Sequence, residues 1–447
     1  MLGLLAPPNI VRRLANHELT DGGRGDRWLY ATHGTVRRKE PRGCPVCGLR
    51  ASYPALQRHQ SRVIYMSVRP LRRTITEPVV HAVGARPNFI KMAPLIEALD
   101  RRGVADQVVV HTGQHYDRRM SEEILEDLGF PVPDYSLGVG SGSHGAQTGK
   151  VLIAFEEILI STNPAVVVVA GDVNSTLACA LAASKLGIPV VHLEAGLRSG
   201  DWTMPEEINR VLTDRLSDLL LTHSPEAEEN LAHEGVDVGR VRFVGNTMID
   251  SLRRFEAVAR DRAVWDRYGV MEREYVLVTL HRPSNVDDAA RLAAIVNGLC
   301  RLATEAPVLF PVHPRTRVRL TARGALQRLE RTGVRCLDPA GYLDFLSLQA
   351  GAGTIVTDSG GVQEEASALG VPCYTLRANT ERPITISRGT NVLLGDDPMS
   401  LDEVTVSHRP PTPCVIPLWD GHAGDRAAHA ILTEFPQIAE STAAALA

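Results

Sequence analysis

The segment VVVVAGDVNSTLACALAASKLGIPVVHLEAG, residues 166–196, contains two short apolar runs separated by a stretch with helical spacing. Apolar runs bounded by glycine, proline or aspartate are typical of buried strands in a parallel sheet. A parallel pair of strands needs a crossover of a dozen or more residues, and the intervening stretch is long enough to form one. Residues 166–196 therefore predict a βαβ unit, with Asp172 and Glu194 at the carboxyl ends of its two strands.

The same alternation of apolar runs and helical stretches extends through both halves of the chain. In the first half we expect strands at residues 79–83, 108–112, 166–170, 190–193, 219–222 and 241–244. In the second half we expect strands at residues 276–280, 308–312, 334–337, 354–357, 373–376 and 391–394. Two such runs favour an α/β protein with two doubly wound domains, and ligands of these sheets bind at the carboxyl ends of the strands.

The two predicted domains occupy residues 76–246 and 247–447, and the last helix of the chain could pack back on the first domain. Residues 1–75 are different in composition, being basic and glycine-rich without a sustained apolar period. Such a segment buries too little apolar surface to offset its ordering entropy. We therefore predict that residues 1–75 form a disordered N-terminal extension.

Composition and charge exclude several classes of protein. The 447 residues carry 48 basic and 52 acidic side chains, a formal net charge of -4, which is not the basic field that nucleic-acid binding requires. Seven cysteines spread through a long chain do not form a disulfide framework, so we expect reduced thiols. No apolar run reaches membrane-spanning length, and the first residues lack the pattern of a signal peptide. We expect a cytoplasmic protein with neither a nucleic-acid nor a membrane partner.

Basic residues follow the first predicted strand in the segment GARPNFIK. Proline is well placed at a helix start, and a helix N-terminus with Arg86 and Lys91 nearby could receive a phosphate group. Both side chains could equally be ordinary surface charges. The pattern alone favours neither interpretation.

Carboxylates at strand ends and at a helix start of the first half could meet in one cleft. Asp172 and Glu194 end strands, and the segment MPEEINR places Glu206 and Glu207 in the first turns of a helix. Each acid alone has a structural explanation, because acids cap helices and are favoured in the first helical turn. Grouped acids, however, raise one another's pKa and suit removal and return of a proton near neutral pH. We therefore predict acid–base chemistry on this side of the cleft.

The second half offers a histidine and a glycine-rich turn at strand ends. His281 and Arg282 follow one strand, and a histidine there suits proton transfer or phosphate pairing, although a structural histidine is the commoner outcome. The segment TDSGGVQEE follows another strand and predicts a phosphate cradle, because glycine lets the backbone approach a diphosphate at a helix N-terminus. A glutamate one turn into that helix can accept hydrogen bonds from a ribose.

Ten motifs in order resemble non-hydrolysing UDP-N-acetylglucosamine 2-epimerases: GARPNFIKMAPL, TGQHYD, GDVNST, HLEAGLRSGD, MPEEINR, VGNT, TLHRPSN, PVHPR, TDSGGVQEE and NTERPI. The resemblance covers residues 78–395 and implies a GT-B fold, with two Rossmann-like domains facing a central cleft. It also implies interconversion of UDP-GlcNAc and UDP-ManNAc through removal of the C2 proton, elimination of UDP to 2-acetamidoglucal and re-addition. No metal or other cofactor is implied, and we expect a homodimer serving nucleotide-sugar metabolism and polysaccharide biosynthesis.

The resemblance also implies roles for individual residues. The catalytic residues it implies are Asp172, Glu194, Glu206 and His281, with Asp172 and Glu206 handling protons and Glu194 supporting them. The UDP-binding residues it implies are Arg86, Lys91, Arg282, Ser359, Gly360, Gly361 and Glu365. Three further positions correspond to residues that hold substrate or an allosteric UDP-GlcNAc in bacterial members: Gln114, His115 and Arg210.

One departure from the family pattern leaves a phosphate partner open. Many relatives have a second arginine where this chain has Pro283, after His281 and Arg282. Four alternatives therefore stay open beside the epimerase: a GT-B glycosyltransferase, a hydrolysing epimerase that releases free ManNAc, an epimerase of a modified UDP-HexNAc, and a UDP-sugar-binding regulator without catalysis.

Overall fold

A computed structural model describes residues 77–113, 127–408 and 414–438. The predicted extension at residues 1–75 lies outside these ranges, as do Gln114 and His115, which were predicted to bind substrate. Within the described ranges, no helix is both long enough and apolar enough to cross a bilayer.

The first half forms a seven-stranded parallel sheet. Its strands are β1 (Val79–Val83), β2 (Gln107–His111), β3 (Tyr135–Ser136), β4 (Val166–Ala170), β5 (Val190–Ala195), β6 (Leu219–Thr222) and β7 (Val241–Phe243). The spatial order is β3-β2-β1-β4-β5-β6-β7, so the order reverses between β1 and β4. All six strands predicted for this half are present. The two-residue strand β3 was not predicted, because so short a run carries no measurable period.

The second half has the same type of architecture, with a six-stranded parallel sheet. Its strands are β8 (Val276–Thr279), β9 (Val308–Pro311), β10 (Val334–Leu337), β11 (Thr354–Thr357), β12 (Cys373–Thr375) and β13 (Asn391–Leu393). The spatial order is β10-β9-β8-β11-β12-β13, with the reversal between β8 and β11. In each half the reversal opens a crevice at the carboxyl ends of the strands, where ligands of such sheets bind.

Helices connect the strands of both sheets. The helices of the first half are α1 (Arg86–Arg101), α2 (His144–Thr162), α3 (Asn174–Lys185), α4 (Pro205–Leu216) and α5 (Pro225–His233). Those that follow are α6 (Thr247–Asp261), α7 (Pro283–Val286), α8 (Ala289–Glu305), α9 (Pro314–Ala322), α10 (Ala325–Arg331), α11 (Tyr342–Gly351), α12 (Gly360–Leu369), α13 (Ile384–Ser387) and α14 (Ala423–Glu434). Short 3-10 helices occupy Val238–Arg240, Val264–Tyr268 and Pro398–Glu403.

The central strands are buried on both faces, which explains their unbroken apolar sequences. Val166, Val167, Val168 and Val169 of β4 are all completely inaccessible to solvent. Burial of a valine side chain contributes roughly 1.5–3 kcal/mol to stability relative to its exposure, so this strand contributes strongly to the stability of the first sheet. The polar residues that follow such strands are thereby held at a rigid edge.

The last helix, α14, lies against α1 of the first half. Arg101 of α1 pairs with Asp425 across 2.9 Å, and an added Cβ at Gly424 would come within 2.6 Å of the carbonyl oxygen of Pro94. The backbone N–H of Gly424 donates to Asp250 of α6 at 2.7 Å. Helices α1, α6 and α14 therefore pack closely, and α14 connects residues of both sequence halves.

Candidate active site

The turn after β1 is built around a glycine and an asparagine. An added Cβ at Gly84 would lie only 1.9 Å from Ser175 Oγ, so a larger residue there would force the serine hydroxyl to move. Asn88 Oδ1 accepts hydrogen bonds from the backbone N–H groups of Gly84 and the next residue at 3.2 and 2.8 Å. This fixed turn presents Arg86, whose Nη1 donates to the carbonyl oxygen of Ala340 in the second half.

Glu194 is held between cations from both halves of the chain. Its carboxylate pairs with Lys91 of α1 on one side and with Arg382 Nη2 at 2.9 Å on the other. All three side chains are buried. Glu194 also has a φ of 73°, a left-handed conformation that costs a non-glycine residue of order 1–3 kcal/mol. The carboxylate is thus fixed in place by two ion pairs.

Asp172 follows β4 and is the more accessible acid, with a quarter of its side chain exposed. It pairs with Arg210 of α4, which also contacts Glu207 at 2.6 Å. Burial alone would lower the pKa of Arg210, but the neighbouring carboxylates, Asp172 foremost, raise it. Glu207 accepts a hydrogen bond from the backbone N–H of Ser199 at 3.0 Å, so it has a structural function. The predicted substrate residue Arg210 therefore lies beneath Asp172, almost without exposure.

Glu206 has the least constrained carboxylate of the predicted set. It occupies the first turn of α4 and is partly exposed, next to the buried Glu207. Its side chain makes no hydrogen bond or ion pair with any residue of the described ranges. Helix α4 thus carries both Glu206 and Arg210, the partner of Asp172.

On the opposite wall, Asp358 orients His281. Asp358 is fully buried and accepts hydrogen bonds from the backbone N–H groups of His281 and Arg282 at 3.1 and 2.9 Å. His281 Nδ1 lies 2.9 Å from the same carboxylate, while 42% of the histidine side chain is exposed. Burial alone would raise the pKa of Asp358, but the charge of His281 and the hydrogen bonds, including one from Asn285, lower it to about 2.

The predicted phosphate cradle is the N-terminus of α12. Ser359 precedes the helix, and Ser359, Gly360 and Gly361 are all partly exposed. An added Cβ at Gly360 would come within 2.4 Å of Arg382 Nη1, so a larger residue at this helix end would displace the Arg382 guanidinium. Unpaired backbone N–H groups and the helix dipole favour an anion at such a position.

Three arginines surround one buried carboxylate beside this helix end. Glu381 pairs with Arg382 Nη1 at 2.5 Å, with Arg377 Nη2 at 2.6 Å and with Arg282 Nη2 at 3.4 Å. Burial alone would raise the pKa of Glu381, but the three guanidinium groups hold it well below its usual range. Arg377 Nη1 is buried without a partner among the described residues. We call Arg282, Arg377, Arg382 and Glu381 the arginine cluster. In the sequence, Arg282 belongs to the TLHRPSN motif and Glu381 and Arg382 to NTERPI, whereas Arg377 belongs to neither.

The two glutamates of α12 have different surroundings. Glu364 lies 2.9 Å from His223 Nε2 and 2.9 Å from Arg382 Nε, so it is ion-paired. Glu365 accepts a hydrogen bond from Gln349 Nε2 at 2.7 Å. Burial raises the pKa of Glu365 to about 7, although Gln349 and the charge of Arg86 oppose the shift. Glu365 is therefore the carboxylate of α12 that titrates near neutral pH.

In the described ranges no three histidine, cysteine, aspartate or glutamate side chains are grouped to hold a metal ion. Acids that follow strands of the first sheet thus lie near the α12 N-terminus and the arginine cluster of the second. The fold is that of a GT-B-type enzyme built from two Rossmann-like halves.

The chain belongs to the UDP-N-acetylglucosamine 2-epimerase family, and it is an isomerase. The family model with that description matches residues 97–432. The UDP-N-acetylglucosamine 2-epimerase of Methanocaldococcus jannaschii is 46% identical over 322 residues, covering 70% of this chain and 87% of the relative. The resemblance found in the ordered motifs is thereby confirmed.

Two further similarities bear on the ligand. The M. jannaschii enzyme crystallised with UDP-GlcNAc and UDP superposes with a TM-score of 0.74 and 41% identity, over 80% of this chain and 99% of that one. The UDP-2,3-diacetamido-2,3-dideoxy-D-glucuronate 2-epimerase of Pseudomonas aeruginosa is 43% identical, covering 71% of this chain and 88% of the relative. The GT-B prediction is confirmed by these similarities; the roles of the individual site residues stay predictions.

Proposed function

We propose that this protein is a non-hydrolysing 2-epimerase that interconverts UDP-GlcNAc and UDP-ManNAc. One observation carries the proposal: the acids of the first sheet face the helix N-terminus and arginine cluster of the second, joined by the ion pair between Glu194 and Arg382. Such a cleft can hold the sugar against carboxylates and the diphosphate against cations. Family membership supports the same assignment.

In the proposed reaction a carboxylate removes the proton from C2 while the bond between C1 and the UDP oxygen breaks. The electron pair of the C2–H bond forms the C1=C2 double bond of 2-acetamidoglucal, and UDP leaves with the C1–O pair. UDP then adds back to C1 as a carboxylic acid returns a proton to the opposite face of C2. Proton transfer by a placed side chain contributes about 10²–10⁴-fold in rate.

The surroundings of the three acids suggest different roles. Glu206 has no partner among the described residues and Asp172 is partly exposed, so we assign proton transfer to these two. Glu194 is buried between Lys91 and Arg382, which neutralise it and leave it little freedom. We assign Glu194 to fixing the two cations in the cleft.

The leaving group requires positive charge on the opposite wall. Ser359 and the first amides of α12 would receive the diphosphate, and His281, held by Asp358, would contact it from the side. Arg282 and Arg377 are our candidates for the phosphate partner that Pro283 leaves open. Arg377 supports this assignment because its Nη1 is a buried donor without a partner in the described ranges.

A test of the proposal follows the hydrogen at C2. Incubation with UDP-GlcNAc in heavy water should yield UDP-ManNAc carrying deuterium at C2, detected by NMR and mass spectrometry. A glycosyltransferase would leave the sugar nucleotide unchanged without an acceptor, and a hydrolysing epimerase would release free ManNAc. Product that retains protium at C2 contradicts the mechanism.

A modified UDP-HexNAc is the second candidate substrate, favoured by the similarity to the P. aeruginosa enzyme. The heavy-water incubation should therefore be run in parallel with UDP-GlcNAc and with a UDP-2,3-diacetamido uronic acid. A kcat/KM at least tenfold higher for the uronic acid would replace UDP-GlcNAc as the assigned substrate. Binding of UDP-GlcNAc with no exchange of any tested sugar would instead indicate a regulator.

The pKa of Glu365 gives a prediction for nucleotide binding. Ribose hydroxyl groups donate to a carboxylate, so binding favours deprotonated Glu365, whose pKa lies at about 7 without ligand. Affinity should be full above this pKa and fall by up to about tenfold per pH unit as the pH decreases below it. Calorimetric titration with uridine, which has no titrating phosphate, measures the effect. Glu365→Gln should remove the pH dependence, and equal slopes in both proteins would contradict the assignment.

We also propose that the protein is a homodimer. We further propose that it is located in the cytoplasm and serves nucleotide-sugar metabolism and polysaccharide biosynthesis. Size-exclusion chromatography with light scattering tests the first. A mass equal to one chain across micromolar concentrations would contradict the dimer.

A further inference from the structure

A buried histidine–aspartate pair connects β5 to α4 beneath the acidic wall. His192 and Asp214 are both fully buried, and His192 Nδ1 lies 2.6 Å from Asp214 Oδ1. The other ring nitrogen, Nε2, lies 2.8 Å from the carbonyl oxygen of Gly171. The imidazole therefore links α4 to the residue that directly precedes Asp172.

Asp214 extends the same connection to the turn after Glu194. Its second oxygen, Oδ2, accepts a hydrogen bond from the backbone N–H of Gly196 at 3.1 Å and pairs with Arg198 at 2.7 Å. Gly196 has a φ of 82°, and an added Cβ would meet the carbonyl oxygen of Ala227 at 2.4 Å, so only glycine fits this turn. One carboxylate thus secures the backbone two residues beyond Glu194.

Both ring nitrogens of His192 face oxygen atoms that can accept a hydrogen bond. A neutral imidazole has a single N–H and would turn a lone pair towards either the Gly171 carbonyl or Asp214. Burial alone would raise the pKa of Asp214, but His192 and Arg198 together lower it, so Asp214 is a carboxylate that accepts. The pair is fully buried, and both ends of the imidazole are held in a fixed geometry.

We propose that His192 is a positioning residue for the acid–base chemistry. His192 holds the turn before Asp172 directly through the Gly171 carbonyl oxygen. Through Asp214 it fixes the turn after Glu194 and helix α4, which carries Glu206, in the same arrangement. The inference rests on the proposed function, in which two carboxylates must reach opposite faces of the same carbon. A displacement of about 1 Å in such groups can lower the rate by about 10²-fold.

His192→Gln tests the proposal, because a single side-chain amide cannot reach both Asp214 and the Gly171 carbonyl oxygen on opposite sides of the ring. We expect kcat for UDP-GlcNAc to fall by about 10²-fold while KM changes less than about threefold. The kinetic isotope effect on kcat with substrate deuterated at C2 should rise, because proton transfer becomes slower than the other steps. A smaller folded fraction would lower kcat without changing the isotope effect.

Two further variants keep the test decisive. Asp214→Asn is isosteric, should have the same kinetic signature, and serves if His192→Gln does not fold. His81→Gln is the matched control, because His81 is also fully buried in the first sheet but pairs only with Gln107 among the described residues. We expect the control to be less stable than the wild type, yet to keep the wild-type isotope effect and a kcat per UDP-binding site within about threefold of it.

Hydrogen exchange decides the proposal without any substrate. Amides of residues 171–174 and 194–198 should exchange at least about tenfold faster in His192→Gln and Asp214→Asn than in the wild type, with the second sheet unchanged. If the wild type does not epimerise any UDP-sugar, the proposed function fails while this measurement still applies. Unchanged exchange at both turns would overturn the positioning role. So would an isotope effect in His192→Gln or Asp214→Asn equal to that of the His81→Gln control.

Discussion

Glu206→Gln is expected to lower kcat by about 10³-fold while leaving the dissociation constant of UDP within about twofold of the wild type. Glutamine keeps the shape of the side chain but can neither take up nor return a proton at neutral pH. UDP affinity should persist because the proposed diphosphate site lies on the other wall, at Ser359 and the first turn of α12. Steady-state kinetics in both directions and calorimetry with UDP measure the two effects.

Asp172→Asn should give a similar loss of kcat, since the reaction needs a carboxylate on each face of C2. The matched control is Glu156→Gln, which removes an exposed glutamate of α2 and should leave kcat unchanged. If both Glu206→Gln and Asp172→Asn retain more than about a tenth of wild-type kcat, the proton-transfer assignment is wrong.

Arg382→Met is expected to reduce the free energy of unfolding by about 3–5 kcal/mol, the largest stability effect of any single substitution discussed. Arg382 pairs with Glu194 at 2.9 Å, Glu364 at 2.9 Å and Glu381 at 2.5 Å, and it is buried. Methionine fills a similar volume, but each of the three buried carboxylates loses one of its cationic partners. Urea denaturation of the apoprotein, followed by circular dichroism, measures the difference.

The comparison variant is Arg254→Met, which breaks the exposed pair with Glu97 and should cost no more than about 1 kcal/mol. An Arg382→Met protein as stable as Arg254→Met would contradict the ion-pair network across the cleft.

Prediction from sequence succeeded where the signal was local. All 12 predicted strands are present with ends within a few residues, because a buried parallel strand needs an unbroken apolar run and its turn needs glycine, proline or aspartate. Positions at strand ends were equally predictable. Asp172, Glu194, His281 and Ser359 all follow or end strands, since the chain itself places them there.

Contacts between distant segments were not predictable in the same way. The arginine cluster joins residues 282, 377 and 382 around Glu381, and nothing in their spacing indicates that they share one carboxylate. The same holds for Asp358, which lies inside the TDSGG motif yet is buried and orients His281. Nor does the spacing of the motifs indicate that the guanidinium of Arg210, a residue predicted to hold substrate, is enclosed by Asp172 and Glu207.

The sequence by itself determined the two parallel sheets, the family and the set of acids and cations at the strand ends, because apolar period and motif order are properties of neighbouring residues. Tertiary structure alone decided which of those charges are neutralised. Glu194 is paired by Lys91 and Arg382, whereas Glu206 has no partner in the described ranges. That difference arises because the fold packs together segments that are nearly 200 residues apart in the sequence. A buried charge is stabilised mainly by its nearest counter-charge, so the packing decides which acids are neutralised.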